Sequence, residues 1–166
     1  MTSKISTAVL AGTAVLAVTL GSTSAQAATA SATARARVLR ALTLANNNRP
    51  LEFGAVVATG SAGNVVISAA GTRTCDTTIS CSGTVSAAQF DLTGTASEVV
   101  VIDAAASVTL TSGTNSMTAS LQESAATVTL SGTGTGAFSV GGTLAVAANQ
   151  AEGVYTGTFN VTADYQ

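Results

Sequence analysis

Between Tyr155 and Tyr165 the chain alternates without a break, and no other stretch limits the possible fold so strongly. Tyr155, Gly157, Phe159, Val161, Ala163 and Tyr165 fall on one side of an extended backbone, and Thr156, Thr158, Asn160, Thr162 and Asp164 on the other. A helix would scatter these positions around its axis, whereas a pleated strand sorts them onto two faces. The spacing predicts a half-buried β-strand over residues 153–166 that closes the fold.

The same grammar runs through the rest of the chain in shorter words. Val38, Leu42 and Leu44 share one face of a first strand predicted over 35–44, with Arg40 interrupting it. Asn46 to Pro50 is a turn cluster, Leu51 to Val57 a second strand, Gly60 to Gly63 a turn and Asn64 to Ala69 a third strand. Val85 to Thr93, with Phe90 and Leu92 inward, and Glu98 to Ile102 follow. Val108 with Leu110, Met117 with Leu121, Val128 with Leu130, Phe138 with Val140, and Leu144 with Val146 are further alternating pairs. Glycine or Ser-Gly punctuates nearly every break. Short strands about ten residues apart with turn signals between them predict an antiparallel sandwich or barrel. No segment sustains a 3.6-residue apolar period, so helix should be minimal.

Residues 1–27 read as a secretory leader. Lys4 is the positive end, Ile5 to Leu20 the apolar run, and Ala25-Gln26-Ala27 a small-x-small cleavage site. A membrane anchor is the other reading, for which the run is short. Cleavage leaves roughly 140 of the 166 residues, one ordinary domain (28–166) with no membrane span. Its first residues, 28–35, are alanine, threonine and serine up to Arg35 and read as a mobile arm.

Composition excludes several kinds of chemistry. The chain has 8 acidic and 6 basic residues and no histidine, and its single lysine lies in the leader. Without histidine there is no Ser-His-Asp or Cys-His arrangement and none of the commonest zinc sites. Without a lysine in the exported part, Ser-Lys dyads and Schiff bases go too. No basic patch exists to neutralise phosphates, so nucleic acid is not an expected partner. The acids stand singly, and nothing brings two together as a glycosidase pair. Gly132-Thr-Gly134-Thr-Gly136 leads into another strand pattern, which offers an anion no helix N-terminus. No cofactor, metal or catalytic residue is expected. Thr127-x-Thr129 and Thr156-x-Thr158 could form a regular polar face, though threonine is also simply a good outward-facing strand residue.

Cys75 and Cys81 are the only two cysteines. In an exported chain they read as one disulfide closing a short loop. A C-x5-C pair with no further ligand is a poor metal site, and it lacks the C-x-x-C spacing of a redox pair.

Three stretches carry a resemblance: Leu51 to Val57 (LEFGAVV), Gly141 to Val146 (GGTLAV) and Gln150 to Gln166 (QAEGVYTGTFNVTADYQ). Together they resemble DUF4402, a family of exported bacterial proteins of undefined function. The closing stretch is also similar to spore-coat-U-like proteins and chaperone–usher pilins, with Tyr165 penultimate and Gly153 fourteenth from the end. That resemblance implies an immunoglobulin-like antiparallel β-sandwich completed by a strand from a neighbour. The implied assembly strand carries Gly153, Tyr155, Gly157, Phe159, Val161 and Tyr165, and the implied donor arm Val38, Leu42 and Leu44. Pilin arms offer regularly spaced large apolar residues, whereas this one is small and polar before Arg35, Arg37 and Arg40 interrupt it. The expectation is a non-enzymatic structural protein of the cell surface, a fimbrial or fibre subunit. Its partners would be other copies of itself or an assembly chaperone. The alternative is a self-contained secreted adhesin or binding module.

Overall fold

The computed structural model describes residues 26–166, so the leader expected over 1–27 lies outside the described residues except for its last two positions. The chain divides into two units, Met1–Ala36 and Arg37–Gln166. In the described part of the first unit every residue is exposed and none lies in a strand. The second unit is all-β, with no helix among the described residues.

Its strands are β1 (Thr43–Asn46), β2 (Ala55–Val57), β3 (Gly63–Ile67), β4 (Arg73–Cys75), β5 (Ser80–Ser82) and β6 (Ala88–Thr93). These are followed by β7 (Val99–Ala104), β8 (Ser107–Ser112), β9 (Asn115–Glu123), β10 (Thr127–Thr129), β11 (Thr135–Val146) and β12 (Val161–Tyr165).

The spine is β11, 12 residues long. Along one edge it pairs first with β6, from Thr135↔Thr93 to Val140↔Ala88, and then with β3, from Gly142↔Ile67 to Val146↔Gly63. Its other edge pairs with β9, from Val140↔Glu123 to Leu144↔Ala119. Strands β1, β4 and β8 extend this sheet outward from β6, β3 and β9. A three-stranded sheet, β10-β7-β12, and the two-stranded sheet β2-β5 complete the sandwich, and every pairing is antiparallel.

Alternation explains why β11 can serve both halves. Phe138, Val140, Leu144 and Val146 are all buried on its inner side. The sequence pattern separates these into two pairs at Gly141-Gly142, but the strand runs through. The glycines are there because neighbours come close: a Cβ on Gly141 would strike the Ile67 carbonyl and lie 2.8 Å from the Ala69 amide nitrogen.

The interior forms two clusters. One contains Phe53, Val65, Ile67, Ile79, Val108, Leu144 and Val146. The other contains Leu92, Val100, Ile102, Leu130, Phe138 and Val140. Leu51, Leu121 and Phe159 pack against both and join them. Each fully buried aliphatic side chain contributes about 1.5–3 kcal/mol, and no polar or charged side chain is buried with them among the described residues. As expected, Leu92 is buried, and Phe90 stacks on Phe138 with ring centroids 5.2 Å apart.

Three expected strands are corrected. The first does not span 35–44: β1 starts at Thr43 and continues through Asn46, which was expected to begin the turn. Val38 is 93% exposed, while Leu42 and Leu44 pack on the second cluster. Before Thr43 the chain is held by single contacts in place of a ladder: the Arg37 guanidinium pairs with Glu98, and the Arg40 backbone amide donates to Thr95 Oγ1 at 2.7 Å. The strand expected over 51–57 is broken at Gly54, whose φ of +78° lies in the left-handed region. The closing strand is regular only over Val161–Tyr165, because the chain changes partners before it. Thr156 bridges Thr111 of β8, and β12 then pairs with β7. Partial burial still falls at Tyr155, Phe159, Val161, Ala163 and Tyr165, so the period-2 reading holds across the switch.

Candidate functional site

The partner switch leaves a gap in the second layer. Over the second cluster that layer is the β10-β7-β12 sheet. Over the first, it consists of residues 50–58 on one side and 153–157 on the other, with a cleft of about 630 Å³ between them. Leu110, Met117, Leu144 and Val146, contributed by β8, β9 and β11, lie among its lining and form an apolar floor.

Each wall is held from its outer side. On the first wall, Glu52 exchanges backbone hydrogen bonds with Ser86 at 2.9 and 3.2 Å, and β2 pairs with β5. Strand β5 is fastened to the large sheet twice. The Cys75–Cys81 disulfide, with an S–S distance of 2.05 Å, joins it to β4. From β4, the Arg73 guanidinium donates to the Ser82 carbonyl at 2.7 Å and reaches those of Phe53 and Gly83 at 3.4 Å. On the second wall, Thr156 and Thr111 exchange backbone bonds of 3.1 and 2.9 Å. The Tyr155 hydroxyl donates to the Ala151 carbonyl at 2.8 Å and accepts from Gln150 Nε2 at 2.8 Å. Sheet β2-β5 has two strands, so β2 has one paired edge and one without a ladder among the described residues.

The expected assembly residues divide between two places. Gly153, Tyr155 and Gly157 line the cleft. Phe159, Val161 and Tyr165 pack against the second cluster, with Phe159 edge-on to Phe90 at 6.4 Å. Of the expected donor arm, Leu42 and Leu44 fill their own domain and Val38 stands free in solvent. The cysteines form the expected disulfide. Arg73 was not singled out in the sequence, because its role depends on carbonyls brought to it from residues 53, 82 and 83 by folding. Among the lining residues Glu52 is the one carboxylate, and among the described residues no three His, Cys, Asp or Glu side chains gather to hold a metal. No helix of the described residues is long and apolar enough to cross a membrane.

The fold and site thus define a disulfide-bonded, all-β sandwich domain with an apolar cleft in its second layer. The chain belongs to the DUF4402 family, described as a domain of unknown function, whose model matches residues 42–165. No curated protein and no solved structure matches the chain significantly. The family match begins at Leu42, the residue at which side chains start to pack on the second cluster.

Proposed function

We propose that this is an exported, non-enzymatic structural protein of the cell surface, a fibre or fimbrial subunit whose sandwich is completed by an added β-strand. The observation that carries this reading is the cleft. Its floor is apolar, and β2 at its wall keeps an edge without a ladder. A strand laid into it would cover the first and satisfy the second, which is how sheet edges recruit partners. A second copy, or an assembly chaperone holding the cleft until a copy arrives, is the partner this chemistry fits. The disulfide supports an oxidising compartment outside the cytoplasm. Glu52 has no second carboxylate beside it in the lining, which favours binding over two-acid hydrolysis.

Light scattering on residues 28–166 over a concentration series tests the reading. Concentration-dependent oligomers that resist denaturant are expected. A stable monomer that also fails to take up an alternating peptide overturns it in favour of the self-contained adhesin or binding module.

A further inference from the structure

The basic residues of the exported part are distributed in a way that strand addition does not account for. They are Arg35, Arg37, Arg40, Arg49 and Arg73, with no lysine beside them. Trypsin-like endopeptidases read a basic side chain through an acid in the pocket next to the bond they cut. The side chain alone is not enough. Such an enzyme must also draw out the flanking backbone, so nicking falls on exposed segments whose backbone is not hydrogen-bonded. We infer that Arg35–Ala36 is a processing site for an arginine-specific endopeptidase, and that the folded domain after it offers such an enzyme no comparable bond. This processing requires export but not strand addition.

Two arginines of the domain are closed off by different means. Arg73 lies in β4, paired with Ile67 of β3, and its guanidinium donates to the Ser82 carbonyl at 2.7 Å. Neither its backbone nor its charge is available to an enzyme until the sheet opens. Arg49 is exposed, but the next residue is Pro50. The proline ring removes the amide hydrogen from the bond to be cut and fixes the backbone beyond it. The Arg49 carbonyl, the group a nucleophile would attack, already accepts the Gln89 amide at 3.1 Å.

The remaining three are held by unequal amounts. Arg40 is fixed on both sides, because its amide donates to Thr95 Oγ1 at 2.7 Å and its carbonyl accepts from the Tyr165 hydroxyl at 2.9 Å. Leu42, two residues on, packs against the second cluster. The Arg37 guanidinium is occupied by Glu98. Arg35 has neither kind of partner among the described residues, and positions 28–38 are all exposed and outside any strand. Extending the backbone around Arg35 therefore breaks no hydrogen bond of the domain, whereas extending it around Arg40 breaks two.

Hydrolysis breaks the bond between the Arg35 carbonyl carbon and the Ala36 nitrogen. Water supplies the hydroxyl of the new Arg35 carboxyl group and the hydrogen of the new Ala36 amine. Residues 28–35 leave, and residues 36–166 keep the Arg37–Glu98 pair and both Arg40 hydrogen bonds. The cut shortens the arm without loosening the fold, as removal of a pro-segment does.

The test reads the N-terminus of the full chain recovered after export from the cells that produce it naturally. The wild type should begin at Ala36. A variant with Arg35→Gln and Arg37→Gln, at positions whose exposure keeps the fold intact, should begin at Ala28. In parallel, purified residues 28–166 are given trypsin as the probe. It should cut Arg35–Ala36 first and leave Arg73–Thr74 whole until urea unfolds the domain. Arg35→Gln should slow the appearance of the Ala36 terminus by about a hundred-fold or more, because the acid in the enzyme's pocket loses its partner. A wild-type N-terminus anywhere but Ala36 overturns the inference: at Ala28 the reading of an exported protein still stands, whereas at Met1 that reading falls with it. An Ala36 terminus in the double variant would show that arginine does not direct the cut. Cleavage after Arg73 in the folded protein as fast as after Arg35 would equally overturn it.

Discussion

The hydroxyl of Tyr165 donates to the carbonyl of Arg40 at 2.9 Å across 125 residues of sequence. It also accepts the Thr95 amide at 2.7 Å, so one side chain fastens the last strand, the β6–β7 connection and the root of the arm. Gly94 lies beneath it, and a Cβ there would collide with the hydroxyl. Tyr165→Phe keeps the ring in the second cluster and leaves the part-buried Thr95 amide without its partner. Such a loss costs about 1–3 kcal/mol. Urea unfolding should show it, with faster amide exchange over residues 38–42 as the local signature. Unchanged exchange there would mean that the hydroxyl does not hold the arm.

The disulfide gives a second prediction. Cys75 and Cys81 are 6 residues apart, and a loop that short constrains the unfolded chain by about 2 kcal/mol. Reduction, or Cys75→Ser with Cys81→Ser, should lower stability by about that amount without abolishing the fold. The Arg73 bonds to Ser82, Phe53 and Gly83 remain to hold β5 against β4. Denaturant titrations with and without reductant measure the difference. Complete unfolding on reduction would show that the cleft wall depends on the crosslink far more than loop entropy allows.

Where the packed domain begins can be tested with two substitutions. Leu92 is 1% exposed and Val38 is 93% exposed. Leu92→Ala should cost about 2–5 kcal/mol, as emptied core sites do. Val38→Ala should change monomer stability by less than about 0.5 kcal/mol, as surface changes do. A large effect at Val38 in the monomer would restore the longer first strand that the sequence predicts.

That contrast also shows what could be read in advance. The fold class and the inward faces of Leu92, Phe138 and Leu144 follow from local alternation, because a strand with one buried face must display it, and the paired cysteines follow from there being only two of them in a chain read as exported. The end of a strand is a matter of partners. Residues 155–160 alternate as well as 161–165 do, yet Thr156 meets β8 while β12 meets β7. Nothing in the period records that change. Gly141 and Gly142 read as punctuation because their cause is the nearness of Ile67 and Ala69 to the first and of Ser120 and Leu121 to the second, which is a tertiary fact. Half of the cleft was legible through Gly153, Tyr155 and Gly157, all on one stretch. Its other half needed Leu51 to Ala58, Leu110 and Met117 to be brought alongside by β2, β8 and β9.

Gly141 supplies the sharpest packing test. In Gly141→Ala the new methyl group meets the Ile67 carbonyl and the Ala69 amide, both of them backbone. A flexible side chain could swing away, but a backbone pinned by the β3–β11 ladder cannot. Overpacking of this kind costs about 1–3 kcal/mol, and a rigid neighbour puts the expected value at the upper end. Because β11 serves both clusters, the loss should appear as one cooperative transition at lower denaturant, with no early release of either half. Two separated transitions would mean that the clusters around Val65 and Val100 are independent, and that β11 is a tether between them instead of a shared spine.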